Sequence, residues 1–323
     1  MPKSISTPPT AVLTVFRLAA LFTFLAVAMG AVVCATGSGA ACPTWPGCFQ
    51  GQIAPQWELS PLIEFTHRVV AMTAGPLVLA AAVMSRRVPG PHRWVRTLPL
   101  VALVGALAAG AFGRLAVLSG LPTWLGAVDL FAALTAMTAM GVAAVLVGAR
   151  TPRSTPRPAA QWHRSMQVGR LAAGSLSVLV VMHVTAIFAA GPSSYTRCLG
   201  WPIWQLIDSD LHPWLQTVRL GLGGLGAVLV VTTAVVAARS ERLRGWGIAL
   251  ATLLASELVL GLVIRAGEIN AGVAAAYSVL AVALLACLGL LMAVSWAALV
   301  PTDPPPMLRV PTHRGELAEP GQR

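Results

Sequence analysis

Charge is scarce in this sequence: only 10% of its 323 residues are Asp, Glu, Lys or Arg, and just 11 of them are acidic. Lysine occurs once, at Lys3. With 56% hydrophobic residues and a mean hydropathy of +0.76, the chain has too little polar surface to cover water-soluble domains of this length. Long polar segments are missing as well. The stretch at 151–160 and the proline-rich end from Pro301 are brief, and neither suggests an additional soluble domain. What the chain does have is apolar runs of the roughly 20 residues needed to cross a bilayer, repeated along almost its whole length. They predict an all-α integral membrane protein with eight spans, at about 11–35, 62–84, 98–119, 122–147, 168–190, 213–238, 246–266 and 271–299. The first run is too long for a cleaved leader and leads directly into a motif, so it is expected to stay in the mature protein.

The net charge of +11 invites a nucleic-acid reading, which its distribution excludes. Arg86, Arg87, Arg93 and Arg96 fall between spans two and three. Arg150, Arg153, Arg157 and Arg164 lie between four and five, and Arg239, Arg242 and Arg244 between six and seven. Lys3, Arg309 and Arg314 flank the termini. The alternate connections hold Glu58, Arg197, Asp208, Asp210 and Glu268 instead. This positive-inside pattern predicts cytoplasmic termini in a multi-pass protein of the plasma membrane, with the lipid bilayer itself as a partner.

An internal repeat is visible. Gly113-Arg114-Leu115 near the end of span three matches Gly261 to Arg265 in span seven at an offset of 148, which also carries Asp129 onto Tyr277. Cys42-Pro-Thr-Trp45-Pro46 pairs with Cys198-Leu-Gly-Trp201-Pro202 at 156, and His67 falls onto Arg219 at 152. Spans 1–4 and 5–8 therefore read as tandem four-helix halves, residues 1–150 and 151–323, in the same orientation. His67, Asp129, Arg219 and Tyr277 then share one layer, about 9 Å below the outer surface at 1.5 Å per residue.

Thr36-Gly37-Ser38-Gly39, then Cys42-Pro-Thr-Trp45-Pro46-Gly-Cys48, then Glu64-Phe65-Thr66-His67-Arg68 resembles the heme A synthase family of heme O-oxidising membrane proteins. The resemblance extends over the eight-span plan to about residue 299. It implies heme O as substrate, heme b as a resident group, conversion of heme O to heme A, and a role in cytochrome oxidase biogenesis. Heme O synthase, oxidase assembly factors and further copies of the chain are the partners it suggests. It also implies a redox-active Cys42–Cys48 pair, for which a plain structural disulfide is the alternative. By the same resemblance Glu64 serves the oxidation chemistry and His67 stands beside the heme iron; the alternative is that Glu64 simply pairs with Arg68.

The family pattern has a histidine at each of the four layer positions, and this chain keeps only His67. Asp129, Arg219 and Tyr277 replace the others, which makes the second half a degenerate heme site. Arg219 stays protonated and cannot ligate iron, so a propionate or Glu257 is its expected partner. Tyr277 can be an iron ligand or a packed, hydrogen-bonded tyrosine. His183, opposite Gly30 in the repeat, can ligate iron or bond a neighbouring helix. Arg114 and Arg265 occupy equivalent places, either snorkelling to the interface or meeting propionates. Asp129 is expected to be held by Arg114 or Arg68. Cys198 is expected as a free thiol, its usual partner position being Trp204, with Cys34 and Cys287 as buried apolar fillers. A heme-binding paralogue without catalysis, acting in oxidase assembly, and a small-molecule transporter are the competing functions.

Overall fold

The computed structural model describes residues 9–45, 47–88, 93–120, 122–149, 159–190, 197–202, 213–267 and 270–297. They form eight long helices: α1 (Thr10–Ala35), α2 (Leu59–Ser85), α3 (Arg93–Leu118), α4 (Thr123–Gly148), α5 (Ala159–Ala189), α6 (Pro213–Ala238), α7 (Arg244–Arg265) and α8 (Ala271–Ala297). All eight are long and apolar enough to cross a membrane. Among the described residues the only β pairing is an isolated bridge between Phe49 and Gln52. The chain is an all-α, multi-pass membrane protein.

The helix bounds follow the apolar runs closely, and α6 coincides with its expected span. α5 is the exception, starting at Ala159 rather than 168. Its first turns carry Trp162, His163 and Arg164, too polar to register as membrane-embedded, yet the backbone stays helical. Arg164 there donates to the Arg239 carbonyl at 3.0 Å, tying α5 to the α6–α7 turn. Pro76 and Pro99 sit inside α2 and α3, a placement that membrane helices tolerate when neighbours satisfy the freed carbonyl.

Lipid tails are as apolar as leucine, so helices in a bilayer associate through close packing rather than through exclusion of water. Small residues make the approach possible here. A Cβ on Gly105 of α3 would stand 2.9 Å from the Ala132 carbonyl of α4, and one on Gly247 of α7 would stand 2.6 Å from the Ala234 carbonyl of α6. α1 to α4 pack as a ring, with α4 returning to α1, and α5 to α8 close in the same manner. The two rings meet where α8 lies against α1 and α4, and α4 against α5. The α8 apolar window is accordingly 67% buried and that of α3 only 17%, so α8 is central and α3 faces lipid.

The four connections α1–α2, α3–α4, α5–α6 and α7–α8 share one end of the bundle, called here the long-loop end. The prolines of 151–158, the tail from Pro301, Trp204, His92, His212 and His313 lie outside the described residues.

Candidate functional site

The α1–α2 loop is built around one buried ion pair. Gly37 takes a left-handed turn (φ 66°) that stops α1, and the Thr36 and Ser38 hydroxyls bond each other at 2.7 Å across it. The chain then closes a short ring through a Cys42–Cys48 disulfide, Cα atoms 4.2 Å apart. From α2, Arg68 donates to the carbonyls of Cys42 (2.7 Å), Gly47 (2.9 Å) and Thr44, and pairs with the Glu64 carboxylate one turn before it. The other Glu64 oxygen accepts the Cys42 N–H at 2.8 Å. Charged hydrogen bonds of this kind contribute about 1.5–3 kcal/mol each, enough to fix a loop that has little secondary structure of its own. Glu64 thus does pair with Arg68, and the pair clamps the disulfide ring onto α2. Both sulfurs are buried, so an external dithiol has no path to them in this conformation.

His67 sits one turn beyond Glu64 and lies across Gly30 of α1. A Cβ at Gly30 would come within 3.2 Å of the imidazole Cε1, so the ring occupies the space a side chain would take. Its buried Nδ1 has no hydrogen-bond partner. Asp129 of α4 faces Gly113 of α3, where a Cβ would lie 3.6 Å from either carboxylate oxygen. Neither arginine expected to hold Asp129 does so. Arg68 is committed to the loop, and Arg114 instead stacks over the indole of Trp45 at 5.0 Å. Arg265, at the end of α7, is exposed.

The second half departs further from expectation. Cys198 is not a free thiol and Cys34 is not a buried filler: they are joined by a disulfide, Cα atoms 5.5 Å apart and 164 residues apart in sequence. Spacing hid this pair because it links the two halves, bringing the α5–α6 connection against the end of α1. Parity was the available signal, since four of the five cysteines sit at span ends on one face. Cys287 alone is free and buried, as expected.

Arg219 does not pair with Glu257. It donates to the Gly200 carbonyl at 2.7 Å, while both Glu257 oxygens are buried without a partner. Tyr277 is a packed, hydrogen-bonded tyrosine whose hydroxyl donates to the Trp201 carbonyl at 3.1 Å. His183 is fully buried, and neither ring nitrogen bonds a neighbouring helix.

The two halves therefore differ as places for a heme. In the first, His67 offers an unpartnered nitrogen over a glycine cradle, which fits an imidazole ligand. In the second, Arg219 and Tyr277 are spent on the 198–202 backbone, which does not fit a bis-histidine heme. Two grooves between α1, α4 and α8, of about 370 and 360 Å³, contain none of the candidate site residues.

The eight-span bundle thus defines a membrane protein whose first four helices carry a disulfide loop clamped by a buried Glu–Arg pair, one turn from a half-buried imidazole. No family model matches the sequence. Curated relatives include a heme A synthase of Bacillus licheniformis, 26% identical over 77% of this chain and 84% of that protein. The heme A synthase of Symbiobacterium thermophilum is 29% identical over 76% of this chain and 83% of its own length. A shorter stretch, 39% of this chain, is 33% identical to 28% of a protoheme IX farnesyltransferase of Halobacterium salinarum. Over about three quarters of its length the chain is similar to heme A synthases.

Proposed function

We propose that this protein converts the methyl group of heme O to the formyl group of heme A in its first half, residues 1–150, with His67 beside the heme iron. The observation that carries this reading is the unpartnered imidazole nitrogen over Gly30, one turn from the clamped Cys42–Cys48 loop, in a chain similar to heme A synthases. Bound heme supplies the oxidising chemistry, and the chain binds, orients and encloses it. His67 would hold the iron through its imidazole. Glu64 couples that imidazole to the loop through α2, holding the Cys42 amide on one oxygen and Arg68 on the other. Arg114, held against Trp45 at the rim, has the charge and place to meet a propionate.

The alternating arginine content supports cytoplasmic termini in the cell membrane, which puts both disulfides on the oxidising side. The repeat is supported by matched neighbours. Gly30 of α1 lies against His67 of α2, and the repeat counterparts His183 of α5 and Arg219 of α6 are both buried.

Membranes containing the protein and supplied with heme O test the proposal. The wild-type chain is expected to form heme A. Glu64→Gln keeps an acceptor for the Cys42 amide but loses the charge paired with Arg68, so it is expected to retain heme while forming heme A on the order of 10²-fold more slowly through a misplaced loop. Bound heme O with no heme A from the wild-type chain refutes the proposal.

A further inference from the structure

The repeat aligns Trp45-Pro46 with Trp201-Pro202, and the two tryptophans end up in different places. Trp45 stays at the rim, 46% exposed, against Arg114. Trp201 is 5% exposed and belongs to the main hydrophobic core, which α5–α8 share with α1 and α4. We propose that residues 198–202 are a built-in plug that fills the interior of the α5–α8 bundle in place of a bound prosthetic group.

Depth is the first argument. The far edge of the Trp201 indole, Cη2, lies 3.7 Å from where a Cβ on Gly226 would be. Gly226 is about 20 Å along α6 from Pro213, so the ring reaches well into a hydrocarbon layer about 30 Å thick. Glycines on α6 leave space that the segment shares with α5, since a Cβ on Gly226 would first meet Leu179 Cδ2 at 2.6 Å. Gly223 and Gly226 are spaced to share a face, and a Cβ on Gly223 would stand 2.8 Å from Pro202 Cγ and 3.5 Å from Met182 Sδ. No room is left on that face for a side chain.

The plug is latched at three points from three helices. Arg219 of α6 donates to the Gly200 carbonyl, Tyr277 of α8 donates to the Trp201 carbonyl, and Cys198 is covalently joined to Cys34 of α1. Backbone carbonyls cannot enter an apolar bundle unpaired, and these two side chains supply the donors. Leu199 adopts a left-handed conformation, φ 64°, which a leucine avoids unless its surroundings compel it; here it is buried between the disulfide and the Arg219 bond. The residues at two layer positions therefore have a task of their own, holding a loop rather than an iron.

This inference is independent of catalysis in the first half, and so is its test. The full chain in nanodiscs is exposed to hydroxyl radicals, and modification of Trp45 and Trp201 is read by peptide mass spectrometry. Trp201 is expected to react on the order of tenfold more slowly than Trp45. Cys34→Ser, which removes the covalent latch, is expected to raise the Trp201 rate while leaving Trp45 unchanged. Saturation with heme is expected to leave Trp201 protected. Equal rates for the two tryptophans in the wild-type chain, or deprotection of Trp201 on adding heme, would overturn the plug. Loss of heme A formation alters none of these readouts.

Discussion

Arg68 carries the most connections of any single residue in the candidate site. One guanidinium meets three loop carbonyls and a carboxylate from inside a helix, a geometry its planar fork of donors can reach and a lysine ammonium cannot. Removing it leaves Glu64 without its cation and the Cys42–Cys48 ring without its clamp. Arg68→Gln is expected to cost about 3–5 kcal/mol and to open the buried disulfide to dithiols; Arg68→Lys should not restore the wild-type behaviour. Thermal melting and the rate of thiol appearance at Cys42 and Cys48 check this. An Arg68→Gln chain that melts like wild type and keeps its disulfide shielded contradicts it. The sequence offered the arginine as a partner for Glu64 or Asp129, and only the first pairing forms. Its role depends on the loop folding back over α2, and no spacing rule reports that.

At the scale of helices and loops, hydropathy located all eight spans, because a bilayer-crossing helix must be apolar over a fixed length whatever it packs against. It missed the first turns of α5, where a polar segment continues the helix to reach Arg239. The loops were harder to read. Cys42 and Cys48 are six residues apart and announce their own pairing, whereas Cys34 and Cys198 are brought together only by the docking of one half on the other. Trp201 was read as a copy of Trp45, since the repeated motif says nothing about whether its loop turns outward or inward. Mass mapping of the unreduced protein is expected to yield a linked peptide pair containing Cys34 and Cys198, with Cys287 alkylated only after denaturation. A freely labelled Cys198 in intact membranes contradicts this arrangement.

Taken as a whole, the molecule divides its work unevenly between two similar bundles. The proposed division gives substrate and iron to α1–α4 and leaves α5–α8 as a closed support, joined to the first ring through α8 and through a disulfide to α1. The sequence singles out His67, Asp129, Arg219 and Tyr277 as four equivalent positions of the repeat. The occupation of Arg219 and Tyr277 was not legible there, because both act on backbone carbonyls from a distant loop. The central claim is that one half holds heme and the other cannot. The absorption spectrum of the purified protein, recorded with heme quantification after expression under ample heme supply, tests it most directly. At most one heme per chain is expected, without the low-spin signature of two imidazole ligands, and His67→Ala should remove it. A second heme, or a low-spin bis-imidazole spectrum that survives His67→Ala, would contradict the account.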